Sequence, residues 1–336
     1  MKKFFFLLAV SGLALSITAC SQNDDKAEKQ NETTNRTEQE QGKTKPTGET
    51  NGNIASNNFF TPFDGKLEHI HGLGYAGNQN AVFFASHDGL KVYENGNWYQ
   101  TKSENNDYMG FSAVQKGFYT SGHPGKDSQL PNPLGIKRSF DNGKTLEKLA
   151  LEGETDFHAM GVGYENNVIY VLNPQKNSLM EANKLYVSED QAKTWKEISA
   201  KGLGKEIFSI AVHPSNPDIV AIAGKEDIYL SEDKGENFEL ITKGMQGTAV
   251  FLTENHLWYG GYNDEARLIK RSLTDGSEEE ISLPKMQQDA VMYLAQNPKD
   301  DKEIIFSTFN GDIYQTNDGT KSWDLLVKEG NLQTGK

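Results

Sequence analysis

The chain has 336 residues, a net charge of −13 and a single cysteine. The acidic balance argues against a nucleic-acid partner, and one cysteine excludes an intramolecular disulfide. The length leaves room for one large domain or two smaller ones.

The first twenty residues are typical of a secretion signal and not of a folded domain. Lys2 and Lys3 precede an apolar run of 14 residues, from Phe4 to Ile17, which is short for a membrane span. The run ends in Ile-Thr-Ala-Cys, which resembles the bacterial lipobox. That resemblance implies a signal peptide over residues 1–19, a diacylglycerol on Cys20 and attachment to the outer face of the bacterial cytoplasmic membrane, facing the cell wall. An ordinary signal peptide with an incidental cysteine is the alternative.

Residues 20–57 differ from the rest of the chain in composition. The segment is rich in Gln, Asn, Glu, Lys and Thr and contains no aromatic residue. Such a stretch cannot bury enough apolar surface to offset the entropy of ordering it. We therefore predict a disordered polar tether here, followed by a folded domain over residues 58–336 that contains no later apolar run long enough to span a membrane.

A short motif recurs in the predicted domain, with Ser or Thr, then Asp two positions later, and an aromatic residue or Leu at its end. The first positions of its four clear copies, 139, 188, 231 and 316, are 49, 43 and 85 residues apart. Weaker copies are RSLTDGSEE (Ser272, Gly276) and KVYENGNW, which ends at Trp98. The motif residues are Ser139, Asp141 and Gly143; Ser188, Asp190 and Trp195; Ser231, Asp233, Gly235 and Phe238; and Thr316, Asp318 and Trp323.

This pattern resembles the Asp box, or BNR repeat, of sialidases, sortilin-type domains and related propellers, over about residues 60–330. The resemblance implies that the box joins the third and fourth strands of a blade, away from the active face, and that its residues are structural. In a tight turn the Asp accepts backbone N–H groups, and the aromatic ring packs on the neighbouring sheet. Secreted lipoproteins with such repeats are often described as glycosylhydrolase-like.

The repeat spacing predicts an all-β fold. A period near 45 residues fits four strands per unit, as in a β-propeller, whereas a β-sandwich would leave the spacing unexplained. We predict six blades, at residues 66–104, 105–154, 155–204, 205–246, 247–286 and 287–330. A seventh is the alternative if residues 54–65 contribute to a split blade.

Five of the seven histidines map to one face of the first three blades. His69 and His71, in HIHGLGY, should project from the same side of an innermost strand, since side chains alternate along a strand. His87 and His123 fall in turns between second and third strands, and His158 opens a first strand, as does Asp107. His213 and His256 map elsewhere.

Imidazole is the commonest protein ligand for late transition metals. The sequence therefore predicts a zinc or copper site formed by His69, His71, His87, His123, His158 and Asp107, with Glu68 or Asp156 as further carboxylates. Without a metal, the same residues would form a polar or pH-sensitive pocket. Two long loops, PGKDSQLPNPLG and NPQKNSLMEAN, are expected over this face.

Three functions remain open at this point. The first is a cell-surface binding module that uses the metal site. The second is a glycoside hydrolase acting on cell-wall or exogenous glycans, which needs two carboxylates. The third is a scaffold for a membrane complex, with a glycan, a peptide or that complex as partner. Candidate carboxylates on the histidine face are Glu68, Asp88, Asp107, Asp156, Asp227 and Asp289.

Sialidase activity is not expected. The related enzymes hold the substrate carboxylate with three arginines, but this chain has only four. Arg36 lies in the predicted tether, and Arg138 and Arg271 directly precede box motifs, on the opposite face. Arg267 alone remains.

Overall fold

The computed structural model describes residues 53–333. The predicted signal peptide, the lipidation residue Cys20 and most of the predicted tether therefore lie outside the described residues. The described part begins with a 3₁₀ turn, Ile54–Ser56, where we predicted tether. Ile54 is fully buried and its N–H donates to Glu94 Oε1, so this turn packs as part of the domain.

Six antiparallel sheets follow one another along the chain, and each is formed by one continuous segment. Blade one contains β1 (Phe60–Pro62), β2 (Ile70–Gly74), β3 (Val82–Ser86), β4 (Gly89–Glu94) and β5 (Asn97–Thr101). Blade two contains β6 (Asp107–Val114), β7 (Gly117–His123), β8 (Ile136–Ser139) and β9 (Glu147–Ala150). Blade three contains β10 (Met160–Val162), β11 (Ile169–Asn173), β12 (Lys184–Ser188) and β13 (Lys196–Glu197).

The second half of the chain repeats this arrangement. Blade four contains β14 (Ile207–Val212), β15 (Val220–Gly224), β16 (Ile228–Ser231) and β17 (Glu239–Leu240). Blade five contains β18 (Gln246–Leu252), β19 (His256–Asn263), β20 (Glu265–Ser272) and β21 (Glu278–Glu280). Blade six contains β22 (Val291–Asn297), β23 (Asp300–Thr308), β24 (Ile313–Thr316), β25 (Asp324–Lys328) and β26 (Asn331–Leu332).

The first strands of neighbouring blades contact one another around the ring, and β22 of the last blade contacts β2 of the first. This closed ring confirms the six-bladed propeller and shows that the seven-bladed alternative is wrong. Residues 54–65 form no split blade, because β1 pairs with the outer strand β5. The first and last blades also meet through a bridge between Lys66 and Asn331 and a 2.8 Å bond from Leu67 N to Gly330 O.

The core lies between neighbouring sheets. Strand β3 is buried at all five positions, because both of its faces pack against other blades. Phe83 and Phe84 therefore point to opposite sides and are both completely buried. Burying such a side chain stabilises the fold by roughly 1.5–3 kcal/mol. This explains why the second strands are continuous apolar runs and do not alternate.

The box turns have one repeated geometry. In blade four, Ser231 Oγ donates to Asp233 Oδ1 at 2.8 Å and accepts the Gly235 N–H at 2.9 Å. Gly235 has a φ of +82°, which glycine adopts without strain. Ala192 and Thr320 take the same place in two other boxes, with φ of +67° and +73°. The turn therefore imposes the left-handed conformation even where the residue is not glycine.

The blade topology defines two faces. The top face holds the starts of the first strands and the turns between second and third strands. The bottom face holds the box turns and the turns between first and second strands. Between them, a central cavity of about 480 Å³ is lined by first strands from all six blades. Within residues 53–333, no helix is long and apolar enough to cross a membrane.

Candidate metal centre

The innermost strand of blade one carries a β-bulge at the predicted site. Ile70 pairs with Ser86 and Gly72 with Ala85, so His71 is an extra residue without a direct partner. His69 precedes the strand and has a φ of +38°, in the left-handed region. Regular alternation therefore does not place His69 and His71 on one side, contrary to the prediction.

The two histidines converge by another route. The ring centroids of His69 and His71 lie 5.2 and 4.4 Å from that of His87. His87 is in the turn between β3 and β4, as predicted, and Asp107 is the first residue of β6 in the next blade. The bulge at His71 and the left-handed conformation of His69, and not regular alternation, therefore bring both rings close to His87.

Three of the predicted ligands form a compact triad on the top face. His71 Nε2 and His87 Nε2 are 3.2 Å apart, and His87 Nδ1 is 2.9 Å from Asp107 Oδ1. His71 Nε2 and Asp107 Oδ1 are 4.0 Å apart. One donor atom from each residue lies within 4.8 Å of the others, which is close enough for all three to surround one cation.

The protonation of the triad suits metal binding. A carboxylate only accepts hydrogen bonds, so His87 donates its Nδ1–H to Asp107, and in the neutral ring His87 Nε2 then accepts the Nε2–H of His71 at 3.2 Å. A metal between the two Nε2 atoms would take the place of that proton. Burial, and then the neighbouring His87, lowers the pKa of His71 to about 4, although Asp107 opposes this shift. His71 is therefore neutral at pH 7, the form of imidazole that binds metals.

A second cluster lies on the same face, in blades two and three. His158 Nε2 is 2.6 Å from Asp156 Oδ2, and His123 Nε2 is 3.4 Å from the same oxygen. The hydrogen bond to Asp156 raises the pKa of His158 against the effect of burial, and the charge of Asp107 adds to the rise. The other oxygen, Asp156 Oδ1, is buried and has no hydrogen-bond partner in the described part of the chain.

The structure thus divides the six predicted ligands. His71, His87 and Asp107 form the triad, His69 lies at its edge, and His123 and His158 share Asp156. One contact was missed: Asn132 Oδ1 lies 2.7 Å from His123 Nδ1. The only sequence signal for it was the long loop after His123.

The remaining candidate carboxylates have other partners. Asp88 accepts from Ser86 and pairs with the buried Lys91, and Glu68 lies 3.9 Å from Lys66. Asp227 and Asp289 accept backbone N–H groups in turns of blades four and six.

The two remaining histidines lie away from the triad. His213 is buried after β14, where its Nδ1 accepts backbone N–H groups, and His256 is the first residue of β19. None of these four carboxylates and two histidines joins the triad among residues 53–333.

Comparison with known families and structures supports the architecture. The family model for sortilin, also described as neurotensin receptor 3, matches residues 135–281. This match, the six blades and the box turns together support a BNR/sortilin-like β-propeller fold. The chain matches no curated protein closely enough to support an assignment.

Three solved structures show the same fold at low identity. A GH74 xyloglucanase from Xanthomonas campestris has a TM-score of 0.52 and 15% identity, covering 80% of this chain and 46% of its own. An ancestral GH74 enzyme has a TM-score of 0.50 and 14% identity, and the match covers 81% of this chain and 40% of that enzyme. The third structure is the extracellular domain of BT4673 from B. thetaiotaomicron, which is assigned to the hybrid two-component systems. It has a TM-score of 0.50 and 15% identity, and the match covers 80% of this chain and 35% of that domain. This chain spans less than half the length of each.

Proposed function

We propose that the protein is a cell-surface binding module whose propeller holds a transition metal, zinc or copper, between His71, His87 and Asp107. The observation that carries this proposal is the triad itself. Two nitrogens bound to one tetrahedral ion at about 2.0–2.1 Å lie roughly 3.3–3.4 Å apart. The Nε2 atoms of His71 and His87 are 3.2 Å apart, so a metal needs little rearrangement of these side chains.

The surroundings support a site that is open to an external ligand. The side chain of His87 is 45% exposed, and those of His71 and Asp107 are about one-fifth exposed. Two imidazole ligands, with Asp107 orienting His87, leave coordination positions for a ligand from solution, whereas structural zinc sites are closed by four protein ligands. His123 and His158 add hydrogen-bonding groups on the same face. We therefore favour binding of a ligand with oxygen or nitrogen donors over a purely structural metal.

The lipid anchor is part of the same proposal. The Ile-Thr-Ala-Cys sequence supports lipidation of Cys20, with the propeller held by the tether on the outer side of the cytoplasmic membrane. Metabolic labelling with a tritiated fatty acid tests this. Label in the native protein and none in a Cys20→Ser variant is the expected result, and equal labelling would contradict it.

Hydrolysis of a glycan is the second candidate function. It is supported by the fold shared with the GH74 enzymes and by two carboxylates, Asp107 and Asp156, beside histidines on one face. A hydrolase needs one protonated and one ionised carboxyl group. Activity on a glycan that is lost in Asp156→Asn while bound metal is retained would favour this function. A protein without metal or glycan activity would instead support the scaffold for a membrane complex.

Metal content tests the leading proposal. The full-length protein, purified in detergent without a polyhistidine tag, is analysed by mass spectrometry after incubation with zinc or copper and removal of free ion. About one equivalent is expected in the native protein and in a His256→Ala control, and little in His71→Ala or His87→Ala. Absence of metal from the native protein, or equal retention in the triad variants, would overturn the proposal.

A further inference from the structure

A second cavity lies on the bottom face, where the last blade meets the first. Its volume is about 370 Å³, within the usual range for small-molecule sites. The walls come from the turn after β2, from β4 and its turn in blade one, and from β22, β23 and β24 of blade six with their turns. It is thus separate from the histidine face and uses none of its residues.

The back of this cavity is fixed by a hydrogen-bond network around Glu303. Oε1 accepts from Tyr75 Oη at 2.9 Å and from Gln315 Nε2 at 2.8 Å. Oε2 accepts from Asn297 Nδ2 at 2.6 Å. Since Tyr75 belongs to blade one and the other three residues to blade six, the network links the two blades. Asn297 and Gln315 are buried, so the wall is held in place before any ligand arrives.

The front of the cavity offers unused amide groups. Asn95 and Asn317 lie in the turns between third and fourth strands of blades one and six. Within the described residues, neither side chain makes a hydrogen bond, and both are exposed. Tyr93 adds aromatic surface to the same cavity, and its ring centroid is 5.0 Å from that of Trp98.

This chemistry selects among polar ligands. A calcium ion takes six to eight oxygen ligands, but both oxygens of Glu303 already accept from neutral donors. The other carboxylate of the lining, Asp300, accepts the Lys302 N–H, and the positive charge of Lys299 offsets it. Within residues 53–333, no group of three metal-binding side chains forms here. Amides that both donate and accept, together with an aromatic ring, instead match the hydroxyl groups and C–H faces of a sugar.

We propose that this seam between blades one and six is a saccharide-binding site for a neutral oligosaccharide. It is independent of the metal centre and lies on the opposite face of the propeller. A protein held at the cell surface would then contact glycans through its bottom face while the top face stays free.

Substitution of Asn317 tests the proposal, because the other box turns show which side chains this position of the turn can hold. The equivalent residue between the Ser or Thr and the Asp of the box is Phe140 in blade two and Glu232 in blade four. Asn317→Phe therefore places a bulky ring in the cavity mouth at a position where a sister turn already holds phenylalanine. Glu232→Phe makes the same change in blade four, away from the cavity, and is the matched control.

Isothermal titration of the full-length protein with cellotetraose, chitotetraose and xylotetraose measures binding. We expect at least one of them to bind, with affinity at least tenfold weaker in Asn317→Phe and unchanged in Glu232→Phe and His71→Ala. Unfolding curves recorded beside the titrations show that each variant is folded. Failure of all three sugars to bind the native protein, equal binding by Asn317→Phe, or calcium binding that is lost in Asp300→Asn would overturn the assignment.

Discussion

The role of Asp107 can be predicted in quantitative terms. Its Oδ1 accepts the Nδ1–H of His87 at 2.9 Å and thereby fixes the orientation and tautomer of that imidazole. The Asp107→Ala substitution removes this contact and leaves His71 and His87 in place. Loss of such a supporting hydrogen bond typically weakens metal affinity by about 10–100-fold, or about 1.4–2.7 kcal/mol. The Asp107→Asn variant keeps an oxygen acceptor and should lose less.

The effect is visible in thermal or denaturant unfolding. Zinc at about 1,000 times its dissociation constant stabilises the folded protein by about 4.1 kcal/mol. At the same zinc concentration, a variant with 100-fold weaker affinity gains only about 1.4 kcal/mol. We therefore expect Asp107→Ala to retain about a third of the native gain or more, whereas His71→Ala retains almost none.

The controls decide between two roles of Asp107. Asp127, exposed in the long loop of blade two, is the matched acidic residue, and Asp127→Ala should respond to zinc as the native protein does. If Asp107→Asn loses as much affinity as Asp107→Ala, Asp107 binds the metal directly. A native response to zinc in Asp107→Ala would refute the reasoning that this carboxylate supports His87.

Three further changes test the described contacts. Asp156→Asn should lower the pKa of His158, which NMR titration measures. Because this pKa is raised in the folded state, the His158–Asp156 contact stabilises the fold fully below pH 6.5, and this stabilisation is lost as the pH rises through the raised pKa. The stability of the variant should therefore depend less on pH in that range. Tyr75→Phe removes a hydrogen-bond donor to Glu303 and should lower the free energy of unfolding in urea by about 1.5–3 kcal/mol. An unchanged free energy of unfolding would contradict the stabilising role of the network around Glu303. Thr320→Gly relieves a left-handed threonine that is only partly buried and should add about 0.5–1 kcal/mol to the unfolding free energy, whereas a loss would contradict the strain.

The blades could be predicted because their signal is local and repeated. A box turn needs its Ser or Thr, its Asp and a residue that accepts a positive φ within five positions, so each copy is readable without the fold. The spacings of 49 and 43 residues then set the blade length. Ring closure is different, since it depends on contacts between residues far apart in sequence. Lys66 pairs with Asn331 where the first and last blades meet, and no local pattern indicates this pairing. The addition of β1 to the outer edge of blade one, where Phe60 pairs with Thr101, has no local signal either.

The candidate site was only partly predictable for a related reason. Topology alone brings His87 and Asp107 to the same face, because a turn between second and third strands and the start of the next first strand must meet there. The bulge at His71 is set by packing and not by the residue itself. Bulges also interrupt β6, β14, β18 and β22 at similar places, where the sequences differ from HIHGLGY. A strand read as regular therefore gave the wrong geometry for His69 and His71.

His69 offers the clearest separation of strain from function. A left-handed conformation costs a residue other than glycine on the order of 1–2 kcal/mol, and such strain persists where the surroundings or a function hold it. His69→Gly removes both the imidazole and the strain, whereas His69→Ala removes only the imidazole. We expect the glycine variant to be the more stable of the two, by about 1 kcal/mol, and both to bind zinc more weakly than the native protein if His69 completes the centre. Equal stability would show that the conformation is not strained, and unchanged zinc affinity in both variants would place His69 outside the metal centre.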